Sequence, residues 1–329
     1  MLPELSVVIP IRNEAASLVE LHRELTETLT AWGRPYEVLI IDDGSTDESF
    51  AILAQLQAGD PHLRVIRFRR NFGQTAAFAA GFDHARGRFI VTSDGDLQND
   101  PRDIPKLLDM IDRGHDIVCG WRKVRKDPFL SRRLPSMIAN WLISIATGVH
   151  LHDYGCSLKA FRAEVVKPLK LYGEMHRFLP AIASEQGVSI AEVAVNHRER
   201  RYGRSKYGIG RTVRVILDLM TVKFLLSYST RPVQIFGLIG FAMGLPGVAI
   251  LVWLTFVKFV GQEAIGNRPL LSLGILLVFT GVQLVTLGLL AEMQARTYHE
   301  SQRKPTYVIR EVLEESQREG PVRSMNLRM

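Results

Sequence analysis

YEVLIIDDGS (residues 36–45) is a short, largely apolar run with β-branched residues that stops on two carboxylates, a glycine and a serine. A run of this length reads as a strand buried on both faces, with turn residues where it leaves the sheet. The same construction recurs around it. LSVVIP (residues 5–10) leads into Arg12-Asn13-Glu14, and FIVTS (residues 89–93) leads into Asp94-Gly95-Asp96. Residues 63–68 and 116–120 are two further strands. Between the strands, residues 15–29 carry Leu18, Leu21, Leu25 and Leu29 on one helical stripe. Residues 74–85 form a helix of small side chains, and residues 101–112 another helix. Ser45 and Glu48 have the S-x-x-E spacing of a capping box, which predicts a helix starting there.

Strands alternating with helices predict an α/β, Rossmann-like domain with a mostly parallel sheet and helices on both faces. Ligands of such sheets bind beyond the carboxyl ends of the strands. Three polar clusters fall at those ends. Asp94 and Asp96, one residue apart after a buried strand, suit a hard divalent cation, Mg²⁺ or Mn²⁺, shared with substrate phosphates, and Gln98 adds a carbonyl oxygen. Such a cation would neutralise a diphosphate leaving group. Asp42 and Asp43 can accept from a ribose hydroxyl or a base N–H, although Asp-Asp-Gly-Ser is also good turn chemistry. Pro10 through Glu14 lines the same edge.

Composition places this domain beside a membrane. The chain has 329 residues, 47% of them hydrophobic, and a net charge of +7. Residues 233–257 and 270–291 are uncharged and apolar, each long enough to cross a hydrocarbon layer of ~30 Å. Nine Lys and Arg lie between Arg198 and Arg231, against Glu199 and Asp218. A basic stretch before a span grips anionic headgroups of membrane lipids. No nucleic-acid motif accompanies it, so nucleic acid is not expected as a partner. Residues 1–10 have neither the basic start nor the apolar core of a signal peptide. Together with the basic flanks of the hairpin, this predicts an integral protein of the inner (cytoplasmic) membrane, with the catalytic domain and both termini cytosolic. The expected organisation is a catalytic domain over residues 1–204, juxtamembrane amphipathic helices over 205–230, two transmembrane helices over 231–293, and a cytosolic tail over 294–329. Residues 305–309 read as a short strand in that tail. Gly240-x-x-x-Gly244 is a small-residue packing pattern that leaves a homo-oligomer open. Cys119 and Cys156, the two cysteines, are expected as packed thiols.

Six ordered motifs carry a resemblance: VVIPIRNE (7–14), EVLIIDDGSTD (37–47), RNFGQTAA (70–77), SDGDLQNDP (93–101), DYGCSLKAF (153–161) and RRYGRSKY (200–207). The chain resembles family 2 glycosyltransferases of GT-A fold. Among them it resembles the polyprenyl-phosphate enzymes: dolichyl-phosphate mannose synthases and bacterial enzymes that load undecaprenyl phosphate with glucose or a related sugar. The resemblance implies a nucleotide-sugar donor, a polyprenyl phosphate acceptor and a divalent metal. It implies Asp94, Asp96 and Gln98 as metal ligands, and Pro10, Asn13, Glu14 and Asp42, with Asp43 alongside, as nucleotide contacts. Arg122, Arg133, Arg201, Ser205 and Lys206 are implied at the lipid phosphate, and Asp153 near the transferred sugar, as a base or an orienting group. Leu158 departs from the Phe that many relatives carry before the lysine.

The expected reaction is inverting transfer of one hexose, with UDP-glucose favoured as donor and GDP-mannose as the alternative. A processive synthase would carry Q-x-x-R-W and more spans, and neither is present. A non-catalytic membrane scaffold that binds nucleotide-sugar is the reading from a different class.

Overall fold

The computed structural model describes residues 2–123, 140, 143–145, 147–169, 171, 175–184, 186–199, 232–262, 264–266, 268–301 and 307–314. The chain divides into two compact units, Met1–Leu219 with Pro305–Met329, and Met220–Lys304.

The first unit is built on an eight-stranded sheet in the order β7-β5-β6-β4-β1-β2-β3-β8. Its strands are β1 (Leu5–Ile11), β2 (Tyr36–Asp42), β3 (Leu63–Phe68), β4 (Phe89–Thr92), β5 (Ile117–Trp121), β6 (Lys159–Arg162), β7 (Ile190–Ala194) and β8 (Ile309–Leu313). β1 pairs in parallel with both β2 and β4, and β2 with β3. Every residue of β1 and β2 is buried, which is why both read as largely apolar runs, and the buried Ser6 hydroxyl donates to Glu37 across the pair. Chain order reverses between β1 and β4, and a crevice opens at such a reversal. Three antiparallel pairings, β4 with β6, β5 with β6 and β3 with β8, and one further parallel pairing, β5 with β7, complete the sheet.

The helices follow from the same patterning. α1 (Leu18–Trp32) buries the stripe Leu18, Leu21, Leu25 and Leu29, and it stops at Gly33, whose φ of 77° is left-handed. α3 (Gln74–His84) is rich in small residues because it lies close on the sheet. A Cβ at Gly81 would fall 2.1 Å from Cγ1 of Val8 in β1. α4 (Ile104–Asp112) follows a single 3₁₀ turn, Pro101–Asp103, whose Arg102 N–H donates to the Asp100 side chain.

α2 (Ser49–Gly59) corrects the capping-box expectation. It begins four residues after Ser45. The Ser45 hydroxyl is already taken by the Asn13 N–H at 3.0 Å, and Asp47 accepts the Ser49 N–H instead, also at 3.0 Å. The tail strand is likewise displaced, forming at Ile309–Leu313 rather than 305–309, on the edge of β3. Glu314 at its end accepts from Arg64 and Arg86, each at 2.9 Å.

The second unit contains two long helices, Pro232–Phe259 and Pro269–Ser301. Stretches of 24 and 23 residues within them are long and apolar enough to cross a membrane. Glycines join them. A Cβ at Gly240 would meet the Gly281 carbonyl at 2.7 Å, and one at Gly247 the Gly274 carbonyl at 2.9 Å. The Gly240-x-x-x-Gly244 pattern therefore serves contact within the pair. Large apolar side chains such as Leu238, Phe241, Phe256 and Phe279 face outward, as lipid-facing positions do.

Candidate active site

The candidate site lies at the carboxyl ends of β1, β2 and β4. Ile11 is in register with Asp42, so the turns leaving β1 and β2 start side by side. Asn13 takes a left-handed φ of 53° and clasps the second turn: its N–H donates to the Ser45 hydroxyl, and its Oδ1 accepts the Thr46 N–H at 2.8 Å. An Asn side chain tolerates that backbone because it can bond locally. The turn after β4 is tied in from the other side. Ser17 Oγ donates to the Gly95 carbonyl at 2.9 Å, and a Cβ on Gly95 would stand 2.6 Å from Cγ2 of Ile11.

Asp42 is fully buried. Its Oδ1 accepts the Ser45 N–H at 2.8 Å, while Oδ2 has only Arg67 Nε, at 3.6 Å, beyond hydrogen-bond reach. An acceptor left open in this way is costly without a ligand donor. Asp43 is used differently. Its two oxygens accept the N–H groups of Phe72, at 2.7 Å, and Gly73, at 3.0 Å, fixing the loop before α3. Burial raises its carboxyl above the usual range, and those two N–H groups hold the rise in check. Pro10 is buried within β1, and the Glu14 N–H donates to Ser49 Oγ.

Asp94 is partly exposed and Asp96 buried. Burial chiefly, and then the charge of Asp96, push the Asp94 carboxyl up, against a hydrogen bond from Ser157 and the charges of Arg122 and Lys159. Gln74, the first residue of α3, donates to Asp94 Oδ1 at 2.7 Å. The Gln98 N–H donates to Asp96 Oδ1 at 3.2 Å, and the Gln98 carbonyl accepts the Arg198 N–H at 2.9 Å. Among the described residues, no three His, Cys, Asp or Glu side chains gather as a cation cage. A cation at this turn would lean on the two carboxylates and complete its shell with diphosphate and water oxygens, as Mg²⁺ does. The residues fit that role: the donors are oxygens, and the mutual repulsion of two close carboxylates is what a cation relieves.

Arg122 and Asp153 meet directly. Nε donates to Oδ2 at 2.7 Å and Nη2 to Oδ1 at 2.9 Å. Asp153 is fully buried, and its own N–H donates to Glu192. Burial alone would lower the Arg122 pKa, but the bonds and charge of Asp153 raise it overall. Lys159, also buried, donates to the carbonyls of Tyr154 and Cys156 and so shapes the loop carrying Asp153 and Ser157. Cys119 and Cys156 are buried, their thiols pushed up to about 12 and about 11, so neither is a nucleophile at neutral pH. Arg133, Arg201, Ser205 and Lys206 lie outside the described residues.

Comparison with known proteins decides the family. Residues 6–169 match the model of glycosyl transferase family 2. A dodecaprenyl-phosphate galacturonate synthase of Rhizobium johnstonii is 47% identical over 95% of this chain and 94% of its own length. The chain belongs to glycosyl transferase family 2. A second relative, the undecaprenyl-phosphate 4-deoxy-4-formamido-L-arabinose transferase of Shewanella sediminis, is 38% identical over 94% of this chain and 92% of its own. The fold is shared with a solved glucosyl-3-phosphoglycerate synthase of Mycobacterium tuberculosis bound to Mn²⁺, UDP and product. That likeness has a TM-score of 0.54 at 19% identity, over 67% of this chain and 80% of that one. The family 2 domain here is thus a GT-A-type α/β domain, and the protein is a glycosyltransferase. Gln74 and Ser157 sit inside motifs quoted above, but their types alone gave no reason to aim them at Asp94.

Proposed function

We propose that this glycosyltransferase moves one glycosyl residue from a nucleoside-diphosphate sugar to a polyprenyl phosphate, with inversion, at the cytosolic membrane face. One observation carries the reading: Asp94 and Asp96 follow β4 and Arg122 follows β5, both strands ending at the same edge of the sheet, with the guanidinium fixed by Asp153. Two anions must be brought together, and this arrangement gives each its counter-charge. The two polyprenyl-phosphate relatives supply the acceptor class, and the apolar helix pair supplies a route to a lipid.

A phosphate monoester has a second pKa of about 6, so the acceptor is largely a dianion at neutral pH and already nucleophilic. One in-line attack at the anomeric carbon forms the new C–O bond as the bond to the nucleoside diphosphate breaks, so no enzyme nucleophile is required. Asp42 then serves the donor, its open Oδ2 accepting a base or ribose hydrogen. Asp94 and Asp96 hold the cation, which supplies charge neutralisation of the departing diphosphate. Arg122, oriented by Asp153, faces the acceptor phosphate. Mn²⁺ is the ion named with the structural neighbour, and Mg²⁺ is the other candidate.

A UDP-linked uronic acid is favoured over UDP-glucose as donor, because a relative at 47% identity is named for galacturonate. The test is a donor panel (UDP-galacturonate, UDP-glucose, GDP-mannose) with purified full-length protein and undecaprenyl or dodecaprenyl phosphate, with and without Mn²⁺ or Mg²⁺. Metal-dependent release of UDP matched by a glycolipid that is labile to mild acid is the expected result. Donor binding without turnover across the panel would leave the scaffold reading in its place.

A further inference from the structure

The C-terminal strand is more than a cover for the sheet edge. Tyr307, just ahead of β8, is buried, and its ring stacks on Phe68 at the end of β3, with centroids 5.3 Å apart and planes 12° from parallel. Its hydroxyl donates to Asp83 on α3 at 2.9 Å. One side chain thus grips both elements that the 69–73 loop connects. Val308 adds a backbone bond, accepting the Arg69 N–H at 3.1 Å.

The loop continues the contact inward. Phe72 meets Phe68 edge-on at 5.7 Å, and Asp43 pins the N–H groups of Phe72 and Gly73. The next residue is Gln74, whose amide holds Asp94. From the other end of β8, Glu314 is anchored by Arg64 and Arg86, and Arg64 is shared with buried Glu37 at 2.6 Å.

We propose that the tail strand is a positioning element of the cation site: Tyr307 sets the 69–73 loop through Phe68 and Phe72, and the loop sets Gln74 against Asp94. The chain segment that follows the two apolar helices thereby helps fix a ligand of the catalytic ion. This rests on the reading of Asp94 and Asp96 as the cation seat.

The experiment is a titration of full-length protein with Mn²⁺ in the presence of UDP, free Mn²⁺ being read by its paramagnetic resonance, with melting temperature recorded alongside. Four variants are compared with wild type: Tyr307→Leu, Tyr307→Phe, Gln74→Ala and the Tyr307→Leu/Gln74→Ala pair. A group orienting a metal ligand is worth about 10-fold or more in metal affinity, which is the loss expected for Gln74→Ala. Tyr307→Leu keeps apolar bulk, loses the stack and should weaken Mn²⁺ several-fold. Tyr307→Phe keeps the stack and should stay close to wild type. The pair should bind no worse than Gln74→Ala alone, since both act through one contact. Wild-type Mn²⁺ affinity in Tyr307→Leu with only a lowered melting temperature would overturn the proposal, as would additive losses in the pair. If Tyr307→Leu does not fold, the comparison falls to Glu314→Gln, which loosens the far anchor and should show the same loss masked by Gln74→Ala; unchanged affinity there overturns the proposal equally. Absence of Mn²⁺–UDP binding in wild type would overturn the cation seat itself, and this proposal with it.

Discussion

Arg122 and Asp153, 31 residues apart in sequence, are joined as a two-pronged ion pair in which both carboxylate oxygens are engaged and Asp153 is fully buried. A planar guanidinium locked in this way presents its remaining N–H groups in a fixed direction. A carboxylate so occupied is a poor proton acceptor, which favours an orienting role for Asp153 over a base role.

Asp153→Asn tests that distinction. Removing one charge from a buried pair costs about 3–5 kcal/mol, so a lowered unfolding midpoint is expected. Turnover should fall at all pH values, while the acidic limb of the rate profile stays near the second pKa of the acceptor phosphate. Loss of that limb in the variant would restore Asp153 as the base.

Asp96→Ala should abolish transfer and leave the protein folded and membrane-bound. With Asp96 gone the ion loses one of its two anionic protein ligands and is held by Asp94 and substrate phosphates only. Turnover with Mn²⁺ is measured beside circular dichroism and detergent extraction. Substantial metal-dependent transfer in the folded variant would remove the assignment of Asp96.

β1 to β4 were legible because strands largely buried on both faces leave short, mostly apolar runs that end on polar turns. β6 and β7 were not. KAFR and IAEVA are short, mix charge with apolar residues, and take their place from pairings that sequence periodicity does not record. The Ser45–Glu48 expectation failed for a related reason. The hydroxyl that would have capped α2 was claimed by Asn13, 32 positions earlier. In the site, carboxylates at strand ends were visible as types in a pattern. Asp153, off any strand end, came only from the resemblance, and the partners, Gln74 for Asp94 and Arg122 for Asp153, depend on folded distances across 20 and 31 residues.

Gly44 supports the site from beneath. Its φ is 66°, and a Cβ there would lie 2.5 Å from the Arg70 carbonyl carbon and 2.8 Å from the Asn71 nitrogen. Backbone cannot yield as a side chain tip does, so Gly44→Ala combines left-handed strain of roughly 1–2 kcal/mol with displacement of the loop that Asp43 holds. The expected outcome is a lower denaturation midpoint and weaker UDP binding by calorimetry. Wild-type affinity for UDP would separate this turn from the nucleotide.

His84, the last residue of α3, gives the fold a pH dependence in the acid range. Burial lowers its pKa below the ordinary 6.5, and the charges of Arg64 and Arg86 lower it further against Asp83 and Glu314. Between that lowered value and 6.5 the unfolded chain binds a proton that the folded chain refuses, so unfolding is favoured as pH falls through this window. Above 6.5 both states are neutral at this site and the effect vanishes. His84→Gln removes the titration, so its melting temperature should fall less than that of wild type on going from neutral pH to about 5. Parallel loss of stability in the two proteins would assign the acid sensitivity to the carboxylates instead.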